Sequence, residues 1–274
     1  MILVAGATGN VGGELLRQLR ADGVAVRALT RDAARAGLPA GVEVVEGDFA
    51  VPRSLAGAFA GVAAAFIVVS GHEAAVLAQA AGAGVRRVVL LSSMAVQTRP
   101  ESLIGVMHRD AERAVAESGL EWTLLRPGQF ASNTRSWRTQ IAAGDVVRTP
   151  FARVGLPAIH PGDIAAVARA ALVEDEHVGA SYSLTGPESI TPVEQVAAIG
   201  RAIGRELRHQ EITAGQAEAQ MLAHMPAGIV AASLEFLGSP TAQETQVLPT
   251  VETVTGKPAR TFAQWADDNA GAFR

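Results

Sequence analysis

The chain of 274 residues contains no cysteine, which removes disulfide scaffolding, thiolate nucleophiles and cysteine-based metal sites from consideration. Tyr182 is its single tyrosine and Lys257 its single lysine, so a Tyr and a Lys cannot share one turn of helix. The six histidines show no His-Glu-x-x-His or comparable ligand spacing, and no metal site is expected. The most apolar stretch, residues 62–69, is far shorter than the roughly 20 residues a membrane-spanning helix needs. No basic leader precedes the first apolar run, so the expectation is a cytoplasmic protein without a membrane partner. A net charge of −4 and the lack of any basic tract give direct nucleic-acid binding no electrostatic footing.

What the chain does have is apolar mass: 49% of its residues are hydrophobic, ample for a packed core. Over the first 130 residues, short apolar runs at 2–5, 24–30, 42–45, 63–69, 87–92 and 122–125 alternate with helix-like segments. Those segments are 10–21, one beginning at Pro52 and reaching residue 59, 73–83 and 101–117. Strictly alternating strands and helices predict an α/β fold, a doubly wound parallel sheet covered on both faces. Residues 1–130 then form a nucleotide-binding core. Residues 131–274 form a smaller, mostly helical lobe that completes the sheet and folds onto the same domain. In that second part, helices are expected at 162–172, 191–203, 214–222, 227–237 and 262–272, with a strand at 181–184 and loops over 144–162.

The first strand runs directly into Gly6-Ala7-Thr8-Gly9-Asn10-Val11-Gly12, which opens an amphipathic helix carrying Leu15, Leu16 and Leu19. Glycine adopts backbone angles closed to other residues and, lacking Cβ, lets the main chain approach a phosphate. The start of the helix adds unpaired N–H groups and a positive dipole end. Strand, glycine loop and helix in that order are the context that turns a weak glycine pattern into a dinucleotide site.

The spacing G-x-x-G-x-x-G, together with Arg27-Ala-Leu-Thr-Arg31, Gly47-Asp48, Leu90-Leu-Ser-Ser93, His108-x-x-x-Glu112, Ser118-Gly119, Arg126-Pro127-Gly128 and Asp163-Ile164-Ala165, resembles the NmrA-like branch of the atypical short-chain dehydrogenase/reductases. That branch includes quinone and dye reductases and cofactor-sensing regulators. The resemblance implies a Rossmann fold and, after the third strand, an adenine-contacting pair at Asp48 and Phe49.

The second strand ends at Thr30-Arg31, where NAD-preferring enzymes usually place an acid for the ribose hydroxyls. Arginine can pair with a 2′-phosphate that a carboxylate would repel, so NADP(H) is preferred over NAD(H), although Asp32 follows directly. Val69 and Ser70 would line the ribose path, Ser92 would lie at the end of the fifth strand, and Pro127 and Gly128 would sit against the nicotinamide.

Short-chain reductases usually protonate the substrate oxygen from a Tyr assisted by a Lys four residues on. Here His108 and Glu112 stand at what look like those positions, Ser93 at that of the catalytic serine and Gln97 at that of an accompanying tyrosine. Residues four apart share a helix face, so Glu112 could bond His108, raise its pKa and make it a general acid. A solvated pair on an exposed helix fits the same spacing, and Ser93 could equally be a cap or a ribose contact. Three functions remain open: an NAD(P)H-dependent reductase of quinones or aryl ketones, a non-catalytic NAD(P)-sensing regulator, and a nucleotide-sugar epimerase, which lacks its Tyr-Lys pair. Met94, Gln129, Phe130, Asn133 and Trp137 are the candidate contacts for a small, aromatic substrate. An apolar stripe from Met221 to Leu237 could adapt to such a ligand, although core packing or a face between two copies is the more ordinary reading. The chain is expected as a monomer or homodimer.

Overall fold

The computed structural model describes all 274 residues. A seven-stranded, wholly parallel sheet runs in the order β3-β2-β1-β4-β5-β6-β8, formed by β1 (Ile2–Ala5), β2 (Val26–Thr30), β3 (Glu43–Glu46), β4 (Ala64–Val68), β5 (Arg87–Leu91), β6 (Glu121–Pro127) and β8 (Ser181–Leu184). Its inner strands β1, β4 and β5 are buried on both faces because helices cover both. Ile2, Val4, Val26, Ala28, Phe66 and Val89 join α1 (Asn10–Ala21) and α6 (Pro161–Val173) in one core. Their neighbours Leu3, Ala5, Leu29, Ile67, Val88 and Leu90 pack with α2 (Glu73–Gly82) and α4 (Leu103–Glu117) in the other.

Helix α1 begins with glycines at positions 12 and 13, each costing about 1 kcal/mol against alanine in a helix. Leu15, Leu16 and Leu19 are each at most 2% exposed, and burying each contributes about 1.5–3 kcal/mol. Packing therefore outweighs propensity, and the glycines can be kept for the loop above.

The sheet strands fall within two residues of the expected bounds. The helix read from residue 101 starts at Leu103, where Ser102 accepts the Gly105 N–H as N-cap. The segment from Pro52 is only a 3-10 turn, Pro52–Leu55. Among the elements outside the sequence reading are α3 (Ala95–Thr98), α10 (Thr250–Thr255), and two short strands, β7 (Val146–Thr149) and β9 (Arg208–Glu211), which pair in a separate parallel sheet. The span 144–162 is thus not all loop. The rest of the second part comprises α5 (Arg138–Ala143), α7 (Pro192–Ile203), α8 (Ala214–Leu222), α9 (Ala227–Gly238) and α11 (Phe262–Asp268). Phe262, Trp265, Ile141, Val147 and Ile199 give this part a core of its own. No helix is long and apolar enough to cross a membrane.

Candidate active site

In a parallel sheet all carboxyl strand ends open onto one edge, and ligands settle in the crevice there. Every residue singled out for the cofactor lies at that edge, at a strand end, in the loop that follows it or in the first turn of α1. Gly6 takes φ +63°, a left-handed angle that makes the tight turn out of β1. A Cβ on Gly12 would lie 2.2 Å from the Gly6 carbonyl oxygen, so Gly12 lets the helix close against the turn. Gly9 caps the helix at φ −87°, an ordinary angle for any residue. It is glycine for space and not for conformation, its Cβ position being 3.1 Å from the Gly6 oxygen and otherwise open. Gly6, Thr8, Gly9 and Asn10 are exposed, whereas Ala7, Val11 and Gly12 are buried beneath them. The loop presents backbone outward over a cradle that side chains would fill, which fits a dinucleotide pyrophosphate.

Beyond Thr30, the Arg31 guanidinium is exposed and makes no ion pair or hydrogen bond. The Asp32 carboxylate is instead turned back on its own chain, accepting the Arg35 N–H at 3.1 Å and facing its guanidinium at 3.5 Å. Asp48 accepts from the Ala50 N–H, and Phe49 is buried among Leu29 and Leu55. At the tip of β4, the buried carboxylate of Glu73 accepts hydrogen bonds from the Ser70 N–H, the Ser70 hydroxyl and the Gly71 N–H, fixing the loop. The sequence placed Glu73 only at a helix start; its second duty needed the fold.

The expected His108–Glu112 pair does not form. Glu112 is 7% exposed and holds Arg126 of β6 in a two-point ion pair at 2.8 and 2.6 Å, and it accepts the Ser92 hydroxyl at 2.6 Å. His108 lies with Nδ1 2.9 Å from the Ile104 carbonyl, so Nδ1–H donates and Nε2 is left as an acceptor. Burial pushes its pKa below the usual histidine value, against weaker opposing pulls from Glu112 and Glu73. The shift is opposite to the one the spacing suggested, because a half-buried imidazole avoids desolvating a charge by staying neutral. Ser93 accepts the Ala95 N–H at 3.2 Å and keeps its own hydroxyl proton. Gln97 accepts the Ser183 hydroxyl. Tyr182 is bonded to His177 Nδ1, four parallel strand pairings away from the strand that leads into the glycine loop.

Two cavities meet at this edge. The smaller, about 320 Å³, is bounded by Val68, Val69, Leu91, Ser92, Met107 and His108. The larger, about 790 Å³, takes in Met94, Gln129, Asn133 and Trp137. Ser93, Pro127, Gly128 and Phe130 belong to both and form the wall between them. The apolar stripe divides: Val230 is buried, while Met221, Met225, Phe236 and Leu237 line the larger cavity. Sequence reasoning missed Arg148, Phe151 and His224 on the same lining.

The fold and glycine cradle define a dinucleotide-dependent α/β protein. The NAD(P)H-binding family model matches residues 6–175, and the chain belongs to that family. A Streptomyces griseus protein, (4-alkanoyl-5-oxo-2,5-dihydrofuran-3-yl)methyl phosphate reductase, is 41% identical over 100% of this chain and 99% of its own. The NAD(P)H azoreductase of Xenophilus azovorans is 36% identical over 100% of this chain and 99% of its own. An NADPH-dependent quinone oxidoreductase of Escherichia coli, solved with NADPH, superposes with a TM-score of 0.81 at 23% identity, covering 98% of this chain and 99% of that one. The protein is an NAD(P)H-dependent oxidoreductase.

Proposed function

We propose that the protein prefers NADPH and reduces a flat, conjugated acceptor of the quinone or aryl-ketone class, whose reduced oxygen needs no strong proton donor from the chain. The observation that carries this reading is the wall of Ser93, Pro127, Gly128 and Phe130 between the two cavities, with the neutral His108 as the only titratable side chain lining the smaller one. NADPH supplies the hydride. The Gly6–Gly12 loop and the first N–H groups of α1 hold the pyrophosphate, Asp48 and Phe49 flank the adenine, and Val69 and Ser70 border the ribose. Pro127 and Gly128 back the nicotinamide, while Met94, Gln129, Phe130, Asn133 and Trp137 shape the acceptor's side. Ser93 uses its free hydroxyl proton to polarise the acceptor oxygen. His108, with Nδ1–H committed to Ile104, has no proton at Nε2 to give near neutral pH. The azoreductase and quinone oxidoreductase names of the relatives support acceptors of this electron-poor kind.

NADPH oxidation against neutral naphthoquinones and aryl ketones tests the reading. Turnover is expected with the quinone, and His108→Phe should lower kcat only a few-fold. A general acid would be worth roughly 10²–10⁴-fold, so a loss of that size would return the proton to His108. Absence of oxidation across the whole series would overturn the reductase reading.

Cofactor choice rests on Arg31, free to meet a 2′-phosphate while Asp32 is engaged with Arg35. Arg31→Ala should weaken NADPH binding roughly tenfold, the solvent-screened range for an exposed arginine–phosphate contact, and leave NADH almost unchanged. Titrations showing equal losses for the two cofactors would remove Arg31 from the 2′-phosphate site.

A further inference from the structure

The larger cavity has an unusual charge balance. The chain carries 27 acidic residues and a net charge of −4, yet no Asp or Glu lines this cavity. Its cationic side chains are Arg99 and Arg148, and only one of them is compensated. Arg99 is locked to Glu244 at 2.8 Å and to Glu235 at 2.6 Å, and it also donates to the Ser239 carbonyl. The Arg148 guanidinium has no ion pair and no hydrogen bond. Its backbone, however, is fixed on both sides: the Arg148 N–H donates to Gln140 Oε1 at 2.8 Å, and Gln140 Nε2 donates to the Arg148 carbonyl at 3.3 Å. Strand β7 thus fixes the backbone from which an unpartnered arginine lines the cavity, and His224, beyond the end of α8, offers an imidazole to the same lining.

We infer that Arg148 is the anion subsite of the acceptor cavity, so that the preferred substrate is a conjugated acceptor bearing a phosphate monoester or another anionic group. This rests on the reductase reading of the same site and narrows its substrate class. An uncompensated guanidinium stabilises an anionic substituent through paired N–H donors, and a cavity without carboxylates offers a cation nothing in return. The methyl phosphate in the name of the Streptomyces griseus relative is the same chemistry. Because Arg148 is exposed, the contact is screened and its effect on affinity is moderate.

Binding of redox-inert naphthyl probes, followed by calorimetry on the protein saturated with NADP⁺, tests this without turnover. 2-Naphthyl phosphate and naphthalene-2-sulfonate represent the two anions, 2-methoxynaphthalene the neutral aryl group, and 2-naphthyltrimethylammonium the cation. At low salt the phosphate should bind roughly five- to tenfold more tightly than the neutral probe, and the cation more weakly than either. Arg148→Gln should erase the advantage of the anion while leaving the neutral probe unchanged, and Arg148→Lys should restore part of it. A phosphate preference that exceeds the sulfonate preference assigns the subsite to phosphate esters; equal preferences assign it to anions in general. Equal binding of phosphate and neutral probes by the native protein would overturn the inference, as would an Arg148→Gln variant that weakens both alike. The two readings fail separately. Arg148-dependent anion binding without oxidation of any quinone would end the reductase proposal and leave the subsite standing.

Discussion

Gly9→Val is expected to abolish dinucleotide binding in a protein that still folds. Gly9 has φ −87°, which valine can adopt, and its added Cβ would sit 3.1 Å from the Gly6 oxygen, a contact relieved by a shift of a few tenths of an ångström. The side chain would nevertheless stand on the exposed rim where backbone N–H groups meet the pyrophosphate. Each charge-assisted bond lost there is worth about 1.5–3 kcal/mol, so losing two should weaken NADPH at least about 100-fold. Gly12→Val is the informative contrast. Its Cβ would meet the Gly6 oxygen at 2.2 Å and the Gly6 carbonyl carbon at 2.6 Å, both backbone atoms that cannot swing aside. That variant should fail to fold, whereas Gly9→Val should keep a native circular-dichroism spectrum and melting temperature. NADPH titration by fluorescence decides the matter: native affinity in a folded Gly9→Val protein would remove the glycine loop from the cofactor site.

Glu112→Ala should destabilise the folded protein markedly. Glu112 joins three elements at once, α4 through its own backbone, β6 through Arg126 and β5 through Ser92. Its removal leaves the Arg126 guanidinium, whose side chain is 16% exposed, without a counter-charge and the Ser92 hydroxyl without its acceptor. Breaking a buried pair in this one-sided way costs about 3–5 kcal/mol, and the residual exposure of Arg126 places this case near 3 kcal/mol. For a chain of this size that corresponds to a fall in Tm of roughly 6–12 °C. Urea unfolding measures the loss directly. Glu112→Gln, which keeps an acceptor for Ser92 but not the charge, should fall between the native protein and the alanine variant. If Glu112→Ala instead left the melting temperature unchanged and removed turnover, the carboxylate would belong to the chemistry and not to the scaffold.

The central sheet was legible in the sequence because its inner strands are apolar on both faces, which leaves unbroken runs such as Ala64–Val68. The paired strands β7 and β9 were not: β9 reads Arg-His-Gln-Glu, a polar tetrapeptide that only tertiary pairing makes a strand. Helices α3 and α10, four and six residues long, are too short to display a helical period. The glycine loop was legible because its geometry is local. The His108–Glu112 pairing failed because spacing brings two side chains to one face without choosing their partners, and Arg126, from strand β6, supplied a charged partner for Glu112. The acceptor cavity could be read only in part. The residues directly after β5 and β6 follow from the topology, whereas Arg148, Phe151 and His224 arrive from segments whose approach no pattern announces.

The helices α8 and α9 stand apart energetically from the sheet they overhang. Helix α8 buries only Ala217, and α9 buries only Val230 and Ala232, yet Gln220, Met221, Ser233, Phe236 and Leu237 from the pair all face the acceptor cavity. The part of the lining that this pair contributes is therefore largely separate from residues that keep the chain folded and from the loop that would hold the cofactor. Selection can rewrite this hairpin at little risk to the rest of the protein. One nucleotide-binding framework can then serve descendants with different acceptors, each diverging mainly in a short, replaceable roof.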